Sequence, residues 1–171
     1  AQPVDDIGRH AGIDRGLDAA GGLDQGRGNG ACFDAAIFTN LSRDHLDYHG
    51  TMEAYAEAKA RLFERPELAA CVINIDDPWG LALARRLVAE GRAVIACTLY
   101  AANVDAVPGA RVLRADRLQA APAGLRFTLV WDGREAEISV RMVAHFNVSN
   151  LIAVAGALLA RGVVFDELPP V

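Results

Sequence analysis

This chain lacks the features that mark nucleic-acid binding, membrane insertion or a disulfide-built scaffold. Its 171 residues carry 17 lysines and arginines against 22 aspartates and glutamates, a net charge of -5. A chain so balanced offers no basic face for a phosphate backbone, so nucleic acid is not an expected partner and small molecules are. Cysteine is scarce, with only Cys32, Cys71 and Cys97. Their odd number and spacing exclude a disulfide framework and a cysteine metal site, and all three are read as buried reduced thiols. Aromatic residues are 6% of the chain, too few for a stacking platform, so Trp79 and Trp131 are expected to pack. The polar, glycine-rich N-terminus has no apolar signal core. The longest apolar run, Leu151 to Ala160, is well short of the roughly 20 residues that span a bilayer. A cytoplasmic protein with no membrane partner is the expectation.

What is present suits one α/β domain. Hydrophobic residues make up 52% of the chain, enough for a real core at this length. Residues 1 to 30 are rich in glycine and aspartate and end in Gly26-Arg27-Gly28-Asn29-Gly30, so they read as irregular. From Asp34 the pattern changes. Ala35 to Thr39 reads as a buried strand, Thr51 to Phe63 as a helix capped by Thr51, and Ala69 to Asn74 as a second strand. Pro78 opens a helix to about Glu90, closed by Gly91, and Ala93 to Leu99 is a third strand. Strands alternating with helices over short connections predict a parallel sheet with flanking helices. Arg111 to Leu118, Leu125 to Trp131 and Glu135 to Met142 read as further strands. Asp132-Gly133 joins the last two as a tight hairpin, so an antiparallel patch extends the parallel core. Asn147 is expected to cap a helix to about Ala160, ended by Gly162, with one more turn over Phe165 to Leu168.

The chemistry concentrates where the first strand runs out. Phe38-Thr39-Asn40-Leu41-Ser42-Arg43-Asp44-His45-Leu46-Asp47-Tyr48-His49-Gly50 crowds amide, carboxylate and imidazole groups beyond a strand's carboxyl end, where open α/β sheets hold their ligands. Such a loop offers hard oxygens and imidazoles for magnesium, or is simply a solvated polar loop. In the following helix Lys59 shares a face with Met52, Tyr55, Leu62 and Phe63, so it sits on the buried stripe. A lysine there must snorkel to solvent, pair or be modified. An amine withdrawn from water favours its neutral, nucleophilic form, which can take up carbon dioxide as a carbamate and so become an oxygen ligand for a metal. Asn40 could reach a phosphate oxygen or cap a turn, and Asp76-Asp77-Pro78 reads as a helix-capping turn.

Three blocks in order carry a resemblance that periodicity could not supply: Leu23-Asp24-Gln25-Gly26-Arg27-Gly28-Asn29-Gly30, Phe38 to Gly50, and Ala54 to Phe63. Over roughly residues 23 to 165 the chain resembles the central domain of a Mur ligase, of the branch that adds the third amino acid to the peptidoglycan precursor. The resemblance implies an ATP-dependent, magnesium-using amide ligase acting on UDP-N-acetylmuramoyl-L-alanyl-D-glutamate, ATP and an amino acid. It implies that Lys59 is carbamylated and, with His45, holds magnesium, and that Asn40 lies by the phosphates of ATP. Gln25 and Arg27 would hold the UDP-N-acetylmuramoyl dipeptide. Phe146-Asn147-Val148-Ser149-Asn150 matches the family's F-N-V-S-N segment, which implies that Asn147 and Asn150 lie near the nucleotide base. Asp76 and Asp77 fall in the family's N-x-D-D turn.

The chain also departs from the family pattern. No G-T-x-G-K-[ST] phosphate loop occurs in it, and Leu17-Asp18-Ala19-Ala20-Gly21-Gly22 stands where the family has M-E-V-S-S-H. Residues 1 to about 22 look unlike any part of the family and read as irregular, so residues 23 to 171 are expected to form a partial central domain. The expectation is therefore a fragment, from a truncated or frame-shifted reading, that does not ligate alone. Two other readings stand beside it: the central domain of a folylpolyglutamate or cyanophycin type ligase, and a non-catalytic remnant.

Overall fold

The computed structural model describes residues 34–41, 51–142 and 144–168. Their strands form one six-stranded sheet whose spatial order is also the chain order. Strands β1 (Ala35–Phe38), β2 (Ala70–Asn74), β3 (Val94–Thr98) and β4 (Arg111–Ala121) pair in parallel, with Ile37 opposite Val72 and Val72 opposite Ile95. Strands β5 (Gly124–Trp131) and β6 (Arg134–Val140) then continue the sheet antiparallel. The expected parallel sheet with an antiparallel extension is the observed architecture.

Helix α1 (Met52–Phe63) links β1 to β2 and helix α2 (Pro78–Ala89) links β2 to β3. Strand alternation decides what each face holds. Ala36, Phe38, Cys71, Ile73, Val94 and Ala96 point to one side and pack with Leu62, Phe63, Leu83 and Leu87 of these two helices. Ile37, Val72, Ile95 and Cys97 point to the other. There helix α3 (His145–Ala160) covers them with Val148, Ile152, Ala153 and Ala157. Side chains of β1, β2 and β3 are consequently buried along their whole length, as a sheet covered on both faces requires.

Local chemistry explains the boundaries. The Thr51 hydroxyl accepts from the Ala54 amide at 3.1 Å and starts α1 as expected. Asp77 caps α2, Pro78 occupies its first turn, and Gly91 at φ +78 follows its end. At the hairpin Asp132 (φ +48) and Gly133 (φ +77) both take the left-handed conformation that a tight two-residue turn needs. Several boundaries differ from expectation: β1 ends at Phe38 and not Thr39, β6 ends at Val140 and not Met142, and two more have a local cause. Helix α3 begins at His145 with Ala144 before it and no side-chain cap. Asn147 is thus inside the first turn, its amide donating to the Ala144 carbonyl at 3.0 Å, and it does not cap. Strand β4 runs past Leu118 to Ala121, because a bulge between Asp116 and Gln119, with Arg117 at φ +54, absorbs the irregularity and lets pairing resume. Trp131 packs as expected, 5% exposed, under the Arg111 guanidinium at 4.1 Å from its ring. Cys71 and Cys97 are buried free thiols, whereas Cys32 lies outside the described residues.

Candidate functional site

At the carboxyl ends of β1, β2 and β3 the polar chemistry gathers. Lys59 is 7% exposed, so its stem does not simply carry the ammonium into solvent. Tyr55 lies one turn before it on α1, and Phe38 ends β1. The lysine Nζ stands 5.1 Å from the Tyr55 ring centroid and 5.6 Å from that of Phe38. It donates to the Asn40 main-chain carbonyl at 3.1 Å. Two aromatic faces and a carbonyl dipole thus stabilise positive charge at a site withdrawn from water. The α1 pattern creates this arrangement: residues three and four apart share a face, so a lysine at 59 lands beside Tyr55, Leu62 and Phe63.

Asn40 is exposed at the mouth of β1. Its side-chain oxygen accepts from the Thr39 hydroxyl at 3.3 Å. The backbone around it is held from below. Buried Asn74, the last residue of β2, donates from Nδ2 to the Thr39 carbonyl at 2.7 Å, and its Oδ1 accepts from the Asp76 amide at 3.1 Å. Asp77 accepts from the Leu41 amide at 3.1 Å through one carboxylate oxygen. Its other oxygen accepts from Trp79 and Gly80 at 2.8 and 3.0 Å, capping α2.

Only half of the expected capping turn is a cap. Asp76 instead joins β2 to the exit of β3, accepting from the Thr98 hydroxyl, from the Leu99 amide at 2.7 Å and from Asn103 Nδ2 at 2.9 Å. Reading the residues one by one missed Asn74 altogether, although the Asn74-Ile75-Asp76-Asp77 string was its signal.

The structure brings Lys59 and Asn40 together and keeps the other described candidates apart from them. Asn147, half-buried, and Asn150, exposed, sit one turn apart on α3, the helix on the opposite face of the sheet. Gln25, Arg27 and His45 lie outside the described residues, as do Asp44, Asp47 and His49. Among the described residues no group of three or more His, Cys, Asp and Glu side chains could hold a metal ion. An unmodified Lys59 ammonium does not fit a cation either, because like charges repel; a carbamate at the same place would. No helix among the described residues is long and apolar enough to cross a membrane.

Known proteins share this sequence pattern and this fold. Residues 19–158 match the family described as Mur ligase middle domain. The chain is similar to the UDP-N-acetylmuramoyl-L-alanyl-D-glutamate--2,6-diaminopimelate ligase of Janthinobacterium sp. (strain Marseille), at 42% identity over 146 residues, 85% of this chain and 28% of that protein. The ligase of the same name from Pseudomonas syringae pv. tomato is 45% identical over 147 residues, 86% of this chain and again 28% of the relative. The chain therefore spans less than a third of the length of these relatives. A solved structure of a diaminopimelate ligase of this name superposes with a TM-score of 0.72 at 37% identity, covering 85% of this chain and 29% of the other. MurF from Acinetobacter baumannii superposes with a TM-score of 0.63 at 17% identity, over 80% of this chain and 28% of that one, a likeness of fold alone. With a match spanning most of its length and a sheet that superposes on a solved relative, this chain belongs to the Mur ligase family, whose middle domain it matches.

Proposed function

We infer that the chain forms the phosphate-handling part of an ATP-dependent amide ligase that adds the third amino acid to UDP-N-acetylmuramoyl-L-alanyl-D-glutamate in peptidoglycan synthesis. The relatives named for 2,6-diaminopimelate make that the amino acid of choice. The observation that carries the reading is Lys59: a lysine 7% exposed, aimed at the backbone where β1 ends, in a chain more than 40% identical to such ligases. Nothing in the described core needs a charge there for packing, since Leu62 and Phe63 already fill the stripe.

In this reading Lys59 is carbamylated. The carbamate, together with His45, would hold magnesium, which would supply charge screening for phosphate oxygens. Asn40 offers its side-chain amide to phosphate oxygens, Gln25 and Arg27 hold the dipeptide precursor, and Asn147 and Asn150 lie towards the base of ATP. Arg27 would offset the repulsion between the precursor carboxylate and the phosphate it attacks. The carboxylate would take the terminal phosphoryl group of ATP as ADP leaves, and the amino group of the incoming amino acid would then displace inorganic phosphate from the resulting acyl phosphate, losing a proton, to form the amide. Both steps gather negative charge on phosphate oxygens, so fixed donors and positioning supply most of the rate. The 171 residues contain no G-T-x-G-K-[ST] string to cradle ATP, so we expect no turnover from this chain alone.

The test is a chimera. Residues 34–168 replace the matching segment of a full-length diaminopimelate ligase, and phosphate release is followed with precursor, ATP, magnesium and diaminopimelate. Diaminopimelate-dependent release that Lys59→Ala abolishes supports the reading. A folded chimera without turnover overturns it.

A further inference from the structure

We propose that Asn74 and Asp77 act as positioning residues: together they clamp the backbone of residues 39–41, so that the Asn40 carbonyl faces Lys59 Nζ. What this does for catalysis rests on the reading of Lys59 given above; the clamp itself does not.

Both side chains are bifunctional, and each divides its two ends in the same way. One end serves the α2 turn: Asn74 Oδ1 accepts from the Asp76 amide at 3.1 Å, and Asp77 Oδ1 accepts from Trp79 and Gly80. The other end crosses to β1: Asn74 Nδ2 donates to the Thr39 carbonyl at 2.7 Å, and Asp77 Oδ2 accepts from the Leu41 amide at 3.1 Å. The residues on either side of Asn40 are therefore both tied to the β2–α2 junction. The Asn40 carbonyl between them receives Lys59 Nζ at 3.1 Å.

A cap alone would need neither cross-strand bond. Asp77 would cap α2 equally well with its second oxygen in water, and Asn74 could end β2 as any apolar residue does. The junction is also seated closely. A Cβ at Gly80 would lie 2.1 Å from the Asn74 carbonyl oxygen and 3.1 Å from the Phe38 ring. The missing side chain lets the first turn of α2 reach the strand ends. Held by this frame, the Asn40 carbonyl limits where the lysine amine swings, and hence where a carbamate on it would stand.

Two isosteric substitutions separate clamping from folding. Asp77→Asn keeps an oxygen for the helix cap, where asparagine serves as well as aspartate, but turns an N–H donor toward the Leu41 N–H. Asn74→Asp keeps an acceptor for the Asp76 amide but sets an oxygen against the Thr39 carbonyl. Amide hydrogen exchange by NMR and the rate of Lys59 reductive methylation, read by mass spectrometry, are measured on the 171-residue chain and both variants. The expected result is Leu41 exchange faster by about tenfold in Asp77→Asn, the weight of one charge-assisted hydrogen bond. Lys59 methylation should accelerate in both variants, while amides of β3 and of the first turn of α2 keep their protection. Unchanged Leu41 exchange and Lys59 reactivity would overturn the clamp. So would a rise shared equally by β2 and β3, which would mark a merely structural role. Uptake of ¹³C-labelled carbon dioxide at Lys59, measured on the same samples, tests the carbamate reading separately. A chain without carbamate but with the expected exchange pattern keeps the clamp and loses that reading; the reverse pattern loses the clamp alone.

Discussion

The parallel and antiparallel halves of this sheet are built by different rules, and the candidate site lies in one of them. Strands β1, β2 and β3 are buried on both faces, with α1 and α2 on one side and α3 on the other. Strand β6 alternates exposed and buried positions toward its end, and β4 has no buried position beyond Ala115. A strand covered on both sides can present polar groups to a ligand only at its ends, whereas an alternating strand sheds them along its length. Of the buried polar residues described, Lys59, Asn74 and Thr98 gather at the carboxyl ends of the parallel half, and Thr128 alone lies in the antiparallel half. Thr128 is answered locally by Arg117 Nε at 3.0 Å. Polar groups concentrate here because the strands are buried on two faces: they have nowhere else to go.

Substitutions can break this contrast in order of size. Phe38→Ala should cost the most, about 3–5 kcal/mol, because it empties a fully packed position beside Phe63 and removes one of the rings facing Lys59. Urea denaturation measures it, and a loss under 1 kcal/mol would mean that the parallel half is not the rigid one. Gly80→Ala should cost about 1–3 kcal/mol, since the added methyl meets main chain at 2.1 Å and must push α2 away from β2. The same melts, with hydrogen exchange at Leu41, would show whether the displacement reaches the β1 exit.

A third expectation concerns pH. Burial pushes the Cys97 thiol far above its ordinary value of 9.0, with Asp76 adding to the shift, and burial also raises Cys71 against the opposing charge of Arg92. Thiols that hold their protons more tightly when folded contribute fully below the unfolded value of 9.0. That contribution is lost as pH rises from there toward the folded values. By pH 10 Cys97 alone should remove about 1 kcal/mol of stability. The fall between pH 8 and pH 10 should be correspondingly shallower in Cys97→Ala, and equal slopes would refute the assignment. The smallest effect belongs to the antiparallel half. Glu135→Gln breaks the Arg117 pair at 2.5 Å, but both side chains are more than half exposed. The change should be at most about 0.5 kcal/mol and should vanish in high salt.

Much of this was legible beforehand. The β1–α1–β2–α2–β3 succession followed from short apolar runs, Thr51 and Pro78, and the hairpin followed from Asp132-Gly133. Lys59 stood out because helical spacing put a charge among Tyr55, Leu62 and Phe63. Two boundaries are not legible, each for its own reason. Asparagine is a good cap, so Asn147 marks a helix start in the sequence, yet α3 begins two residues earlier at His145 with no side-chain cap. The alternation on which strand reading depends stops near Leu118, because a bulge between Asp116 and Gln119 breaks it before pairing resumes to Ala121.

Which elements form, and in what order, was written in local chemistry: propensity, capping and turn residues act over a few positions and can be read off the chain. The clamp around Asn40 could not be. Its bonds join Thr39 to Asn74 across 35 positions and Leu41 to Asp77 across 36, and no periodicity encodes a hydrogen bond over that span. Those partners meet because β1 and β2 pair in parallel with Phe38 opposite Ile73. That register brings both strands to an end at the same level, and there buried Asn74 finds a partner in the neighbouring strand's exit.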